Sequence, residues 1–381
     1  MGQSPNMFSR AEVTPMHLLL QRIGMTLPIV QAPMAGTSTP AMAAAVCNAG
    51  ALGSIGVGAV NAAGARAMIE VVRKLTTRPF NVNVFAHRPA HADADRERAW
   101  LTALKPAFER FGADPPTTIR EIYTSFVADD AMLQVLLATK PAVVSFHFGL
   151  PPAPVIDSLK RADITLFCTA TTLDEAEQAI EAGIHAIIAQ GYEAGGHRGV
   201  FDPNAHDSQL GVAALTRLIV SKTSIPVIAA GGIMDGAGIA AMLDLGAAAA
   251  QLGTAFIACP ESGADAFHRA ALFGPGAYAT EMTSVISGRP ARCLPNQFTA
   301  FEAQLKDLAL PDYPIPYDVG KALAAAGKAK GDGGFSAQWA GQGAPLARSM
   351  PAADLVRTLA SELETARVQI SRKAGGHQAE R

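Results

Sequence analysis

The chain has 381 residues, of which 49% are hydrophobic and 17% charged, enough apolar material for a large core and too little charge for a disordered tail. Its 31 basic and 33 acidic side chains leave a formal charge of -2, so neither nucleic acid nor an acidic membrane surface meets an electrostatic footprint, and a small-molecule partner becomes the default. Cys47, Cys168, Cys259 and Cys293 stand singly, without a C-x-x-C pair or a metal-ligand spacing, which fits a reducing, cytoplasmic setting.

The amino terminus has neither the basic start nor the apolar run of a signal peptide. The uncharged stretch Ile23 to Ala65 is cut by Pro28, Pro33 and Pro40 into pieces too short to cross a bilayer, so a soluble protein is expected. From residue 28 onward a short apolar run, a Gly/Pro turn and an Ala-rich amphipathic segment alternate. Strands are predicted at Pro28 to Met34, Leu52 to Val57, Phe80 to Phe85, Val143 to Phe148, Thr165 to Ala170, Ala186 to Gln190, Pro226 to Ala230 and Ala248 to Leu252. Helices are predicted at Thr39 to Asn48, Ala62 to Leu75, Leu173 to Ala182, Leu210 to Ser221 and Gly236 to Leu245.

Eight βα units over about 250 residues is the arithmetic of a TIM-type (β/α)8 barrel. A doubly wound sheet would need an early dinucleotide fingerprint, and Gly53, Gly56 and Gly58 have the wrong spacing for G-x-G-x-x-G. The barrel is expected over residues 15–260, with an insertion at about 86–142 that includes a helix from Ala94 to Phe111. Residues 261–371 should form a mostly helical carboxy-terminal region closing the active site, with helical pieces at Ala264 to Leu272 and Pro351 to Ile370 around a loop-rich stretch holding Pro311, Pro314 and Pro316. A disordered tail is expected over 372–381.

In such a barrel the residues just after each strand carry the chemistry. Gly231-Gly232 and Gly253-Thr254 follow two late strands and could offer backbone N–H groups to a phosphate, although paired glycines also make tight turns for purely structural reasons. His147 and His197 each follow a strand and could exchange a proton at neutral pH, or could be satisfied core residues; no histidine sits in a metal motif, so no metal is expected. Asn81, Asn83, Gln190 and Gln251 are amides inside apolar strands, where an unpaired amide costs about 1–3 kcal/mol. They either bond one another or face a ring rich in donors and acceptors, such as an isoalloxazine.

Taken together, Gln31-Ala-Pro-Met34, Ser145-Phe-His147-Phe-Gly149, Gln190-Gly-Tyr-Glu-Ala-Gly-Gly-His197-Arg-Gly199, Ala230-Gly-Gly-Ile-Met-Asp-Gly236 and Gln251-Leu-Gly-Thr-Ala-Phe256 resemble the class I nitronate monooxygenases, formerly 2-nitropropane dioxygenases. Pro311-Asp-Tyr-Pro-Ile-Pro-Tyr317 and Gln338-Trp-Ala-Gly-Gln342 make the resemblance more specific. It implies non-covalent FMN and oxidation of an alkyl nitronate, propionate 3-nitronate in particular, by O₂ to a carbonyl compound and nitrite, a detoxification. It implies that Met34, Asn83, Gln190, Gly195, Gly231, Gly232, Gln251, Leu252, Gly253 and Thr254 hold the flavin. His197 would be the catalytic histidine, with His147, Tyr313, Tyr317 and Lys321 at the substrate; Pro314 and Pro316 argue against a regular helix beneath the last three. The competing readings are an NAD(P)H-dependent flavin reductase of enoyl thioesters or quinones, and a flavin- or phosphate-binding protein without turnover.

Overall fold

Eight short parallel strands run side by side and meet again at their two ends in the computed structural model, which describes residues 15–305 and 308–376. The strands are β1 (Ile29–Gln31), β2 (Gly53–Gly56), β3 (Phe80–Phe85), β4 (Val143–His147), β5 (Thr165–Ala170), β6 (Ala186–Gln190), β8 (Val227–Ala230) and β9 (Ala249–Leu252), with β7 (Gly196–His197) set apart from them. Their order is β1-β9-β8-β6-β5-β4-β3-β2, and a parallel bridge between Val30 and Leu52 joins the two edges into a barrel. All eight apolar runs predicted as strands are therefore strands. β1 is shorter than expected because Ala32 and Pro33 turn away after a single bond from Ala32 N to the Leu252 carbonyl.

The helices before the last strand are α1 (Pro15–Ile23), α2 (Pro40–Asn48), α3 (Ala62–Leu75), α4 (Ala94–Glu109), α5 (Asp130–Thr139), α6 (Ala153–Arg161), α7 (Leu173–Glu181), α8 (Val212–Val220) and α9 (Gly236–Asp244). After it come α10 (Thr254–Ile257), α11 (Ala266–Leu272), α12 (Gln297–Leu305), α13 (Ile315–Ala329) and α14 (Ala352–Gly376). α1 closes the amino-terminal mouth of the barrel by pushing Leu19 and Ile23 against Val30, Phe167, Ile188 and Ile228. Only the carboxyl ends of the strands are left open.

Several placements differ from the sequence expectation. Within the 86–142 insertion, α5 packs between α3 and α6 as one of the barrel's own outer helices, so only the α4 segment is additional. α14 packs against α9 and α2, burying Leu355, Val356, Leu359 and Leu363 with Met42, Val46, Ile239 and Leu243, and thus fills the eighth outer position that the four-residue α10 is too short to fill. α14 also continues through residues 372–376, which the sequence assigned to a tail; residues 377–381 lie outside the described residues.

The rest of the carboxy-terminal region builds a second layer over the open mouth. α4 supplies Trp100, Leu104 and Phe108, α12 supplies Phe298, and α13 supplies Val319 and Leu323 to one apolar cluster with Phe335. A small antiparallel sheet, β10 (Glu281–Thr283), β11 (Ala291–Cys293) and β7, ties this layer to the loop after β6. The region expected to be loop-rich around Pro314 and Pro316 opens the 15-residue helix α13. Pro314 is its N-cap and Pro316 lies in its first turn, where the backbone N–H has no intrahelical acceptor to lose.

Candidate active site

The open mouth holds a cavity of about 690 Å³. Strand ends form its floor: Met34 after β1, Asn83 in β3, His147 ending β4, Thr169 in β5, Gln190 ending β6, Gly231 and Gly232 after β8, and Gln251, Gly253 and Thr254 at β9. Its walls come from elsewhere in the chain: Gly195 and His197 from the loop after β6, Tyr123 from the insertion, and Tyr313, Tyr317, Lys321 and Trp339 from the carboxy-terminal layer. Of the residues expected at the site, only Leu252 is kept out. Strand alternation that turns Gln251 inward sends the Leu252 side chain outward into the cluster with Ile29 and Phe256, leaving it only its backbone to offer.

His197 pairs across β7 with Ala291 of β11, which fixes its backbone, and its Nε2 lies 2.8 Å from Ser287 Oγ. No protein partner is present at Nδ1 among the described residues. Burial, followed by His147, Arg289 and His87, pushes its pKa down to about 3, so the ring is neutral at working pH. His147 is differently placed: Nδ1 meets Thr169 Oγ1 at 3.1 Å and Nε2 the His197 carbonyl at 3.2 Å. Because a carbonyl only accepts, Nε2 carries the proton and Nδ1 accepts from the threonine. Burial, against a raising contribution from the His197 carbonyl, lowers its pKa to about 4. Both nitrogens are thus committed to protein, and His147 holds the His197 peptide instead of presenting a free polar atom to a substrate.

The strand amides divide in the same way. Asn83 Nδ2 donates to Ser145 O and Oγ at 3.1 and 3.0 Å. Gln190 donates to the His197 carbonyl at 3.0 Å and accepts from Gly199 N at 2.7 Å, clamping the loop that carries the histidine. Asn81 bonds Ser54 at 3.2 Å inside the barrel and does not line the cavity. Two amide oxygens are left without a partner among the described residues, Asn81 Oδ1 inside the barrel and Gln251 Oε1, and of the two only Gln251 belongs to the cavity wall.

The glycine turns also separate. Gly232 sits at φ +68°, a left-handed conformation that by itself requires glycine. Gly253 sits at φ -109°, and a Cβ there would meet only Ala32 Cβ at 3.4 Å and Met34 Sδ at 3.6 Å, ordinary contacts. The fold does not need glycine at 253, and its absent side chain leaves that backbone open to the cavity. An orphaned acceptor at Gln251 and an open cradle at Gly253, both facing one cavity, fit a cofactor with a donor-bearing ring and a phosphate.

α13 explains the spacing of the three residues expected at the substrate. Tyr313 precedes the helix, and Tyr317 and Lys321 follow on one face, four residues apart. Lys321 Nζ lies 4.7 Å from the ring centroid of Tyr123 and 5.2 Å from that of Tyr317. Burial, countered by Asp318, lowers its pKa below the ordinary lysine value. The Tyr313 hydroxyl is buried without a partner among the described residues, and burial raises its pKa well above the ordinary phenol value. Tyr123, Ser287 and Arg289 were not anticipated. Each stands alone in a polar or Gly/Pro-rich stretch, and nothing local in the sequence signals that these stretches fold back onto the strand ends.

A closed parallel barrel whose open end is roofed by tyrosines and whose floor carries an unpaired amide oxygen and an open glycine backbone has the form of a small-molecule enzyme with room for an organic cofactor. No cluster of three His, Cys, Asp or Glu side chains suited to a metal occurs among the described residues. A family model described as nitronate monooxygenase matches residues 17–362. A nitronate monooxygenase of Paraburkholderia phytofirmans is 61% identical over 346 residues, covering 91% of this chain and 94% of that one. Another from Pseudomonas aeruginosa is 54% identical over 341 residues, covering 90% and 97%. Among solved structures, nitroalkane oxidase from Streptomyces ansochromogenes superposes with a TM-score of 0.84 at 41% identity, covering 92% of this chain and 99% of that one. The chain belongs to the nitronate monooxygenase family, whose members are flavin-dependent oxidoreductases.

Proposed function

We propose that this protein oxidises alkyl nitronates with O₂ to a carbonyl compound and nitrite, using FMN held without a covalent bond, and that a nitronate bearing a carboxylate, such as propionate 3-nitronate, is its preferred substrate. Detoxification is the role this implies, and the cytoplasm the setting, in keeping with four buried, unpaired cysteines. The observation that carries the reading is the roof over the cavity: Lys321 and three tyrosines face an open floor whose own polar groups suit a flavin.

The flavin, when bound, supplies the electron acceptor, so the protein has to bind, orient and dehydrate an anion. Asn83, Gln190 and Gln251 would lie against the ring, and Gly231, Gly232, Gly253 and Thr254 against the phosphate. Lys321 offers a charge and Tyr313 an unpaired hydroxyl on the substrate side. A nitronate is already a stabilised carbanion and needs no base, which suits a His197 held neutral and too weakly basic to abstract a C–H proton efficiently. Its role is then to hold the nitro group or accept a hydrogen bond beside it.

Oxygen consumption with a preformed nitronate, with and without NADPH, tests the reading. Uptake should be independent of NADPH, and the denatured protein should release FMN and not FAD, identified by chromatography. NADPH oxidation coupled to a quinone or an enoyl thioester would favour the reductase reading, and a colourless protein that FMN does not reconstitute would remove the flavin altogether.

Lys321→Ala should raise KM for propionate 3-nitronate by about two- to fivefold, the modest worth of a partly exposed charge. An alkyl nitronate with an uncharged tail should change less. Equal effects on the two substrates would place Lys321 at the nitro group and not at the carboxylate.

A further inference from the structure

Behind the histidine wall lies a second layer. Phe148, the residue after β4, adopts φ +75°, which a bulky side chain rarely tolerates and which costs on the order of 1–3 kcal/mol. That turn places its ring 4.4 Å from the ring centroid of His147, 5.6 Å from that of His197 and 5.3 Å from that of Tyr313. On its other side the guanidinium of Arg289 sits 4.4 Å from the Phe148 centroid and 5.9 Å from that of Tyr313.

Arg289 is 3% exposed, yet no carboxylate lies within 4.0 Å of it among the described residues. The two nearby acids are already engaged. Glu175 accepts from Thr171 N, the Thr171 hydroxyl and Phe201 N, and Asp202 faces Arg88 at 3.8 Å. One arm of the guanidinium donates to the Val200 carbonyl, and Nε has no partner. Burying a charge this way is expensive unless something compensates it. Phe148 and Arg289 do not line the cavity themselves, but His147, His197 and Tyr313, whose rings pack on Phe148, do.

We propose that Arg289 is the fixed positive charge of the active site and that its counter-ion is the anion bound in front of the Phe148–Tyr313 wall. Arg289 touches neither substrate nor cofactor; it acts through the ring layer as an electrostatic positioning residue. It also opposes protonation of His87, His147 and His197, so that beside Lys321 the positive potential comes from a second group that does not titrate near neutrality. The inference rests on the reading of the substrate as an anion.

The test is binding of nitrate, a planar and unreactive analogue of the nitronate head, measured by calorimetry on the flavin-loaded protein, with nitroethane in its neutral form as the control. Arg289→Met should weaken nitrate by on the order of tenfold, as expected for a unit charge acting through one layer of rings at an intermediate effective dielectric, and leave nitroethane within about twofold. Arg289→Lys should restore most of the nitrate affinity. Because Arg289 has no carboxylate partner within 4.0 Å among the described residues, Arg289→Met breaks no ion pair and should remain folded. Loss of folding in Arg289→Met, equal weakening of both ligands, unchanged nitrate affinity, or failure of Arg289→Lys to restore it would each overturn the proposal. The nitrate measurement stands whether or not nitronates are turned over, so its failure and the failure of the nitronate reading are distinct results.

Discussion

His197→Asn is expected to retain the flavin and the fold while lowering kcat/KM for a preformed nitronate by about 10–100-fold, the worth of one hydrogen bond to a charged group at about 1.5–3 kcal/mol. The side chain stands in the cavity wall, with its backbone pinned by β11 and by the Gln190 amide, so removing the imidazole leaves the scaffold standing. Asparagine is shorter than the imidazole, so it falls short of that bond, and it cannot take a proton. A neutral nitroalkane has to lose a C–H proton first, and for it the loss should be on the order of 10²–10⁴-fold. That loss is measured from a low starting rate, because an imidazole held at about 3 is a poor base even in the unaltered protein. Steady-state kinetics on both substrates, with flavin content read from the visible spectrum, checks this. Loss of flavin, or unaltered rates on both, would take His197 out of the reaction.

The largest stability effect should come from the ion pair beneath the histidine loop. Arg198 is 2% exposed and grips Asp207 through two bonds of 2.7 and 2.9 Å, while a third reaches the Gln190 carbonyl at 2.5 Å. Asp207→Ala strands that guanidinium in the interior and should cost about 3–5 kcal/mol in urea unfolding. The pair should also set an acid limit. Burial alone would raise the Asp207 carboxyl, but Arg198 and the Gln209 N–H outweigh it and hold the pKa below the ordinary value. A carboxyl depressed in the folded state contributes stability at neutral pH that is lost as pH falls below about 4, through the folded value. Asp207→Ala should therefore lose less stability than the unaltered protein between neutral pH and pH 3. An equal or steeper loss would show that other groups set the acid limit.

The barrel was legible because each parallel strand is buried on both faces and reads as an unbroken apolar run, and eight such runs leave few alternatives. Most of the floor of the cavity followed from that, since strand ends converge by geometry. The Leu252 side chain points away from the cavity because a motif quotes consecutive residues whereas a strand sends them to opposite faces. α13 was hidden by prolines that break a helix interior yet are harmless in a first turn. β7, β10 and β11 are too short to show alternation. Arg289 could not be recognised at all, because the sequence shows an arginine between glycine and proline, and only the folded chain shows that it has been taken out of water.

α14 gives the order of synthesis a physical meaning. The helix that completes the outer ring follows every other described element in the chain, and its Glu362 carboxylate accepts from Gly236 N at the start of α9 at 2.9 Å while also pairing with Arg348. A nascent chain that has emerged only as far as residue 351 already holds all eight strands, yet it exposes the apolar faces of α2 and α9, including Met42, Val46, Ile239 and Leu243. Until α14 docks, the barrel has an open seam along α2 and α9.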